Sequence, residues 1–180
     1  MKRLFLLLFL LLGVAFCATP GDSPRVSRAT LALVEKSLDE HVTRLWDDNP
    51  FLLLGATRGV YLEGYGAVFT AEVNLVASPA GLMHPVLTKE DIERYRQKKL
   101  ERIPQLVKAL RQALVSSAAS LDTVPPEEQI VFVAFLSHYP WEDSNGLRVQ
   151  VTLQTQKKKL MEAARAGGAA ADAVIRVTGN

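Results

Sequence analysis

Seven consecutive apolar residues, Ile130-Val131-Phe132-Val133-Ala134-Phe135-Leu136, lie between two breakers. Before them stands the rigid connector Val124-Pro125-Pro126-Glu127-Glu128, and after them the turn-rich stretch SHYPWEDSNG of residues 137–146. A short run rich in β-branched and aromatic residues, bounded on both sides, reads as a strand. Because it is apolar at both alternating sets of positions, it is expected to be central, with both faces covered and Val133 in the core. The chain must therefore build a sheet around it.

The remaining strands follow from composition and alternation. Phe51 to Leu62 and Ala67 to Val76 are rich in Leu, Val, Phe and Tyr, and Glu63-Gly64-Tyr65-Gly66 between them reads as a turn. The pair is expected to form a hairpin, its glycines supplying positive φ. A phosphate-binding loop would need a helix directly behind those glycines, and a strand pattern follows instead. Arg58, Glu63, Glu72 and four glycines argue against a membrane span for the same stretch. Farther on, Asn145-Gly146 is a hairpin-turn signal. Leu147, Val149, Val151 and Leu153 then alternate with Arg148, Gln150, Thr152 and Gln154, a strand with one face on the core.

Helical periods occupy the intervals. Ser23 and Pro24 signal a helix start, and Val26, Thr30, Leu33, Val34, Leu38, Val42, Leu45 and Trp46 form its apolar stripe, with Glu35 on the solvent side. Asp47-Asp48-Asn49-Pro50 ends it. Thr88 and Asp91 fit a capping box that opens a long helix, in which Pro104 predicts a kink or break near 99–103. Lys157 to Ala166 reads as a short helix stopped by Gly167-Gly168, and Ala173 to Thr178 as a final strand. Two strand pairs separated by a long helix predict an α+β fold: an antiparallel sheet of four to five strands built from two hairpins, with two long helices and one short helix on one face.

The N-terminus sets the expected compartment. Lys2 and Arg3 precede an apolar stretch from Leu4 to Phe16, the pattern of a secretory signal, and it is shorter than the roughly 20 residues of a spanning helix. We assign residues 1–17 to a signal peptide, 18–24 to a linker and 25–180 to a single α+β domain, exported to the periplasm or the outside, with no transmembrane span in the mature chain. A lipoprotein signal at Cys17 is the competing reading, and Phe16 is bulky where that motif wants a small residue. Cys17 is the only cysteine, so no intramolecular disulfide is available and the core alone must hold the domain. Loss of Lys2 and Arg3 takes the basic count from 21 to 19, against 19 acidic residues. Phosphate contacts supply most nucleic-acid affinity, so a neutral mature chain argues against a nucleic-acid partner.

Few residues carry chemistry. His41, His84 and His138 have no metal-ligand spacing between them, and no metal or other cofactor is expected. Of the three, His138 has the most reactive company, with Ser137, Glu142 and Asp143 nearby, so His138, Asp143 and Glu142 are the candidate catalytic residues. Against that, neighbours along a strand point to opposite faces, and no G-x-S-x-G elbow exists. Thr70, Glu72 and Asn74 form a polar row on the outward face of their strand, open to extension by Arg148, Gln150, Thr152 and Gln154, and Tyr139 and Trp141 add aromatic surface. These are the candidate binding residues. The basic side chains of 89–111 and Lys157-Lys158-Lys159 are expected to be solvated. The resulting expectation is an exported bacterial binding or assembly module of the cell envelope, with an envelope protein or polymer as partner. The alternative is a hydrolase of an envelope polymer or secreted ester centred on His138.

Overall fold

In a computed structural model of the protein, residues 26–46, 51–77, 87–166 and 168–179 are described. The signal segment, Cys17, the Ser23-Pro24 helix start, the 47–50 helix stop and His84 lie outside them. The elements run α1 (Arg28–Thr43), β1 (Leu52–Leu62), β2 (Gly66–Asn74), α2 (Lys89–Ser117), a 3-10 turn (Ala118–Leu121), β3 (Gln129–Leu136), β4 (Gln150–Gln156), α3 (Lys157–Ala166), α4 (Gly168–Val174) and β5 (Arg176–Thr178). The fold is α+β.

The five strands lie in the order β1-β2-β3-β4-β5. All neighbours are antiparallel except β2 and β3, which run parallel. The sheet is therefore mixed, which corrects the expected antiparallel one. The cause is α2: a parallel neighbour needs a crossover connection, and a long helix packed on the sheet provides it.

Strand register sorts the side chains by face. Phe69, Phe132, Leu153 and Val177 are aligned across four strands, and the first three are fully buried. They share one core with Leu31, Val34 and Leu38 of α1, Leu106, Leu110 and Leu114 of α2, and Leu160 of α3. The described helices thus cover one face. On the other, Val133 is only half-buried and Phe135 is 46% exposed. The expectation that β3 is covered on both faces holds on this side only at Val131, 6% exposed, and fails at Val133 and Phe135.

Local details also differ. Ser27, not Ser23, caps α1 by accepting the Thr30 amide at 3.0 Å, and Leu31 takes the core position expected of Leu33, which is exposed. Thr88 and Asp91 form the expected capping box at α2. That helix nevertheless runs unbroken through Pro104, held by buried Arg102 and Ile103 before it and Leu106 and Leu110 after it. β4 begins only at Gln150, leaving Val149 exposed, and the last strand forms over Arg176–Thr178, with α4 taking only the first two residues of the span expected of it. Glu35, Lys99, Arg102 and Lys157 are buried rather than solvated.

Candidate functional site

The open face of the sheet is assembled by register. Glu72, Phe135 and Gln150 lie side by side across β2, β3 and β4; Thr70, Val133 and Thr152 form the next row, and Val68, Val131 and Gln154 the third. β1 extends these rows with Arg58 beside Thr70 and Val60 beside Val68. Neighbouring strands sit about 4.8 Å apart, so the side chains of each row are within contact distance of one another, polar and apolar alternating across β2, β3 and β4 in the first two rows. Val60 and Leu62 on β1 and Phe135 on β3 are each nearly half exposed, Phe135 lying two rows away from Val60.

The expected polar row is only partly present. Thr70 and Glu72 lie on the open face, and Glu72 accepts a short hydrogen bond from the Ser137 hydroxyl. Asn74 is buried and accepts the Val76 amide at 3.3 Å, which closes the end of β2. Arg148 lies apart from the row and lines a groove with Leu100 and Pro104 of α2. Gln150, Thr152 and Gln154 are on the face as expected.

Residues 137–149 connect β3 to β4 and frame one end of this face. Buried Lys99 anchors them. Its Nζ donates to the Ser137 carbonyl at 3.1 Å and to Glu142 Oε2 at 2.5 Å, and lies 3.3 Å from His138 Nδ1. Burial pushes the Lys99 ammonium below its usual pKa, and the Glu142 hydrogen bond and charge oppose that shift. His138 Nε2 lies 3.2 Å from the Arg148 carbonyl, which can only accept, so this nitrogen carries the proton and Nδ1 accepts from Lys99. Both ring nitrogens are then engaged inside the protein. Asp143 is exposed and accepts the Asn145 amide at 3.0 Å in a local turn. Of the three catalytic candidates, the fold brings His138 and Glu142 together, at 3.4 Å, and gives Asp143 a separate role.

Tyr139 and Trp141 stack with centroids 5.3 Å apart, and Trp141 meets Tyr95 of α2 edge-on at 5.5 Å. These rings fasten the connection to the helix. Sequence reasoning assigns Lys99 no role, yet it fills the step between Tyr95 and Ile103 in the apolar stripe of α2.

The sheet edge at β1 is closed in its middle. Glu35 Oε1 accepts the Gly59 amide at 2.6 Å, and Arg28 donates to the Gly59 carbonyl at 3.1 Å. Asp39 Oδ1 accepts the Thr57 amide at 2.9 Å. Side chains of α1 therefore take the hydrogen bonds that an added strand would make. Among the described residues, no group of three or more His, Cys, Asp or Glu side chains is placed to hold a metal ion, and no helix is long and apolar enough to cross a membrane. No family model matches the sequence, and no curated protein or solved structure matches it significantly.

Proposed function

We propose that the protein is an exported, non-catalytic binding or assembly module of the bacterial cell envelope, and that its contact surface is the open face of the sheet. The observation that carries this reading is Phe135: a large apolar side chain at mid-sheet, 46% exposed, between Glu72 and Gln150. Apolar anchors ringed by hydrogen-bonding groups are the make-up of protein interfaces. A protein partner fits better than a glycan. Sugars stack on platforms of aromatic rings, whereas among the described residues this face offers Phe135 alone, the rings at its end, Tyr139, Trp141 and Tyr95, being packed on one another. Docking on the face also fits better than strand addition, since α1 occupies the outward groups of Thr57 and Gly59.

Export rests on the apolar segment of residues 4–16. Intact mass tests it: a mature N-terminus at or near Ala18 supports the reading, and a diacylglyceryl adduct on Cys17 replaces it with a lipoprotein. We read the sheet, at finer grain, as two hairpin-like strand pairs laid together by α2. The hydrolase alternative lacks comparable support, because its central histidine has no ring nitrogen left for a substrate. The binding reading is tested with Phe135→Asp: the partner's affinity should fall while the melting temperature holds.

A further inference from the structure

On the helix side of the sheet, away from the open face, α2 passes the end of β5 and the turn before β4. Between them lies a groove of about 480 Å³. One wall is aliphatic, formed by Leu100, Ile103, Pro104 and Val107 on successive turns of α2, and Val177 faces it. Pro104 contributes ring carbons and no amide donor there. Arg111, Gly146 and Arg148 complete the lining, and no acidic side chain is part of it among the described residues, Asp172 pairing with Arg111 from outside it. The volume falls within the about 300–1,000 Å³ of small-molecule sites.

We propose that this groove binds a small amphipathic monoanion, an unbranched aliphatic carboxylate, with its tail along α2 and its carboxylate between Arg111 and Arg148. Charge complementarity selects this occupant. Arg148 makes no ion pair among the described residues. Arg111 holds Asp172 through Nη1, at 3.0 Å to Oδ1 and 3.1 Å to the carbonyl, and its Nε is buried without an acceptor, so Nη2 is the donor left for the groove. A guanidinium has five N–H donors in a planar fork suited to a carboxylate, so one partner on Nη1 leaves that capacity unfilled. A neutral apolar ligand would desolvate both cations without compensation. A compact anion without a tail would leave four aliphatic side chains unused.

The probe is sodium dodecanoate below its micelle concentration, titrated calorimetrically into the full mature chain. Comparison ligands are acetate, dodecanol and dodecyltrimethylammonium, and phosphatidylglycerol vesicles form a separate arm. The proposal expects one dodecanoate per chain, clearly tighter than any of the three comparison ligands. Arg148→Ala, an exposed side chain whose loss leaves the melting temperature unchanged, should weaken dodecanoate about tenfold, the effect of removing one charged hydrogen-bond donor. Lys108→Ala, outside the groove, should leave it unchanged. The proposal is overturned by no dodecanoate binding, by equal binding of dodecanol or dodecyltrimethylammonium, or by an unaltered affinity in Arg148→Ala. Adsorption to the vesicles without binding of soluble dodecanoate would assign the arginines to a membrane surface and overturn it as well.

Discussion

Glu35 on α1 accepts the backbone amide of Gly59 on the edge strand at 2.6 Å, while Arg28 supplies a donor to the carbonyl of that same residue. Two helix side chains, themselves joined by an ion pair, thus stand where a neighbouring strand would lie. Gly59 permits this, because a Cβ there would come within 2.6 Å of the Phe69 ring and 3.3 Å of Glu35 Oε1. Glu35→Ala should therefore act twice. It should cost about 2 kcal/mol, the worth of hydrogen bonds to a charged group, and it should promote self-association through the uncovered edge. Thermal melts and light scattering measure both, and a monodisperse variant with wild-type stability would contradict the edge assignment.

The same carboxylate has a pH signature. Burial pushes the Glu35 pKa up, but the hydrogen bonds from Arg28 and Gly59 and the charges of Arg28 and Arg58 outweigh burial and hold it below the usual carboxylate value. A carboxyl depressed in the folded state adds stability that is complete above its unfolded pKa of about 4.3 and is lost as pH falls through the folded value. The stability gap between wild type and Glu35→Gln should be constant near neutrality and shrink below about pH 4. Denaturant titrations across that range check it; a gap that widens on acidification has the wrong sign for this account.

Gly64 and Gly66 both have positive φ, 77° and 134°, but their surroundings differ. A Cβ at Gly64 meets nothing within 4 Å, whereas one at Gly66 would sit 1.9 Å from the Gln129 carbonyl oxygen. Gly64→Ala should cost about 1 kcal/mol for its backbone alone. Gly66→Ala should cost several times more, because β3 must move away from β2. Equal melting temperatures for the two variants would count against the parallel β2–β3 register.

Lys99 and Glu142 are almost wholly buried together, with side chains 1% and 4% exposed. Removing either partner leaves the other charge without compensation, so Lys99→Met and Glu142→Leu should each cost about 3–5 kcal/mol. The double variant should recover much of that loss, since an apolar pair of similar volume replaces a desolvated ion pair. If the two losses simply add, the pair is not the anchor of residues 137–149.

The legible parts of this fold were those governed by local chemistry. The Thr88–Asp91 box, the glycine turn after Leu62, the Lys157–Ala166 helix and the alternation of Val151 and Leu153 all depend on near neighbours in the chain. The parallel pairing of β2 with β3 depends on which way α2 returns, and no residue spells that out. Covering of β3 was misjudged because apolar character at Val133 and Phe135 shows affinity for an apolar surface without showing whether the same chain supplies it. At the site, Glu72 and Thr70 were visible from alternation, whereas Asn74 was misplaced because the chain leaves the strand at that residue. Charge predicts exposure for Lys99 and Glu35, yet each is buried by a specific partner remote in sequence, Glu142 and Gly59.

The central claim is that the open sheet face is the contact surface, and site-specific photocrosslinking tests it most directly. A photoreactive phenylalanine analogue placed at Phe135 or Thr70, in cells making the full chain, is compared with the same group at Gln112 or Lys108 on the exposed side of α2. The account predicts a discrete adduct to one protein from both open-face positions, none from the α2 positions, and loss of the Thr70 adduct when Phe135→Asp is added. Adducts from the α2 positions alone, or a Thr70 adduct indifferent to Phe135→Asp, would contradict it.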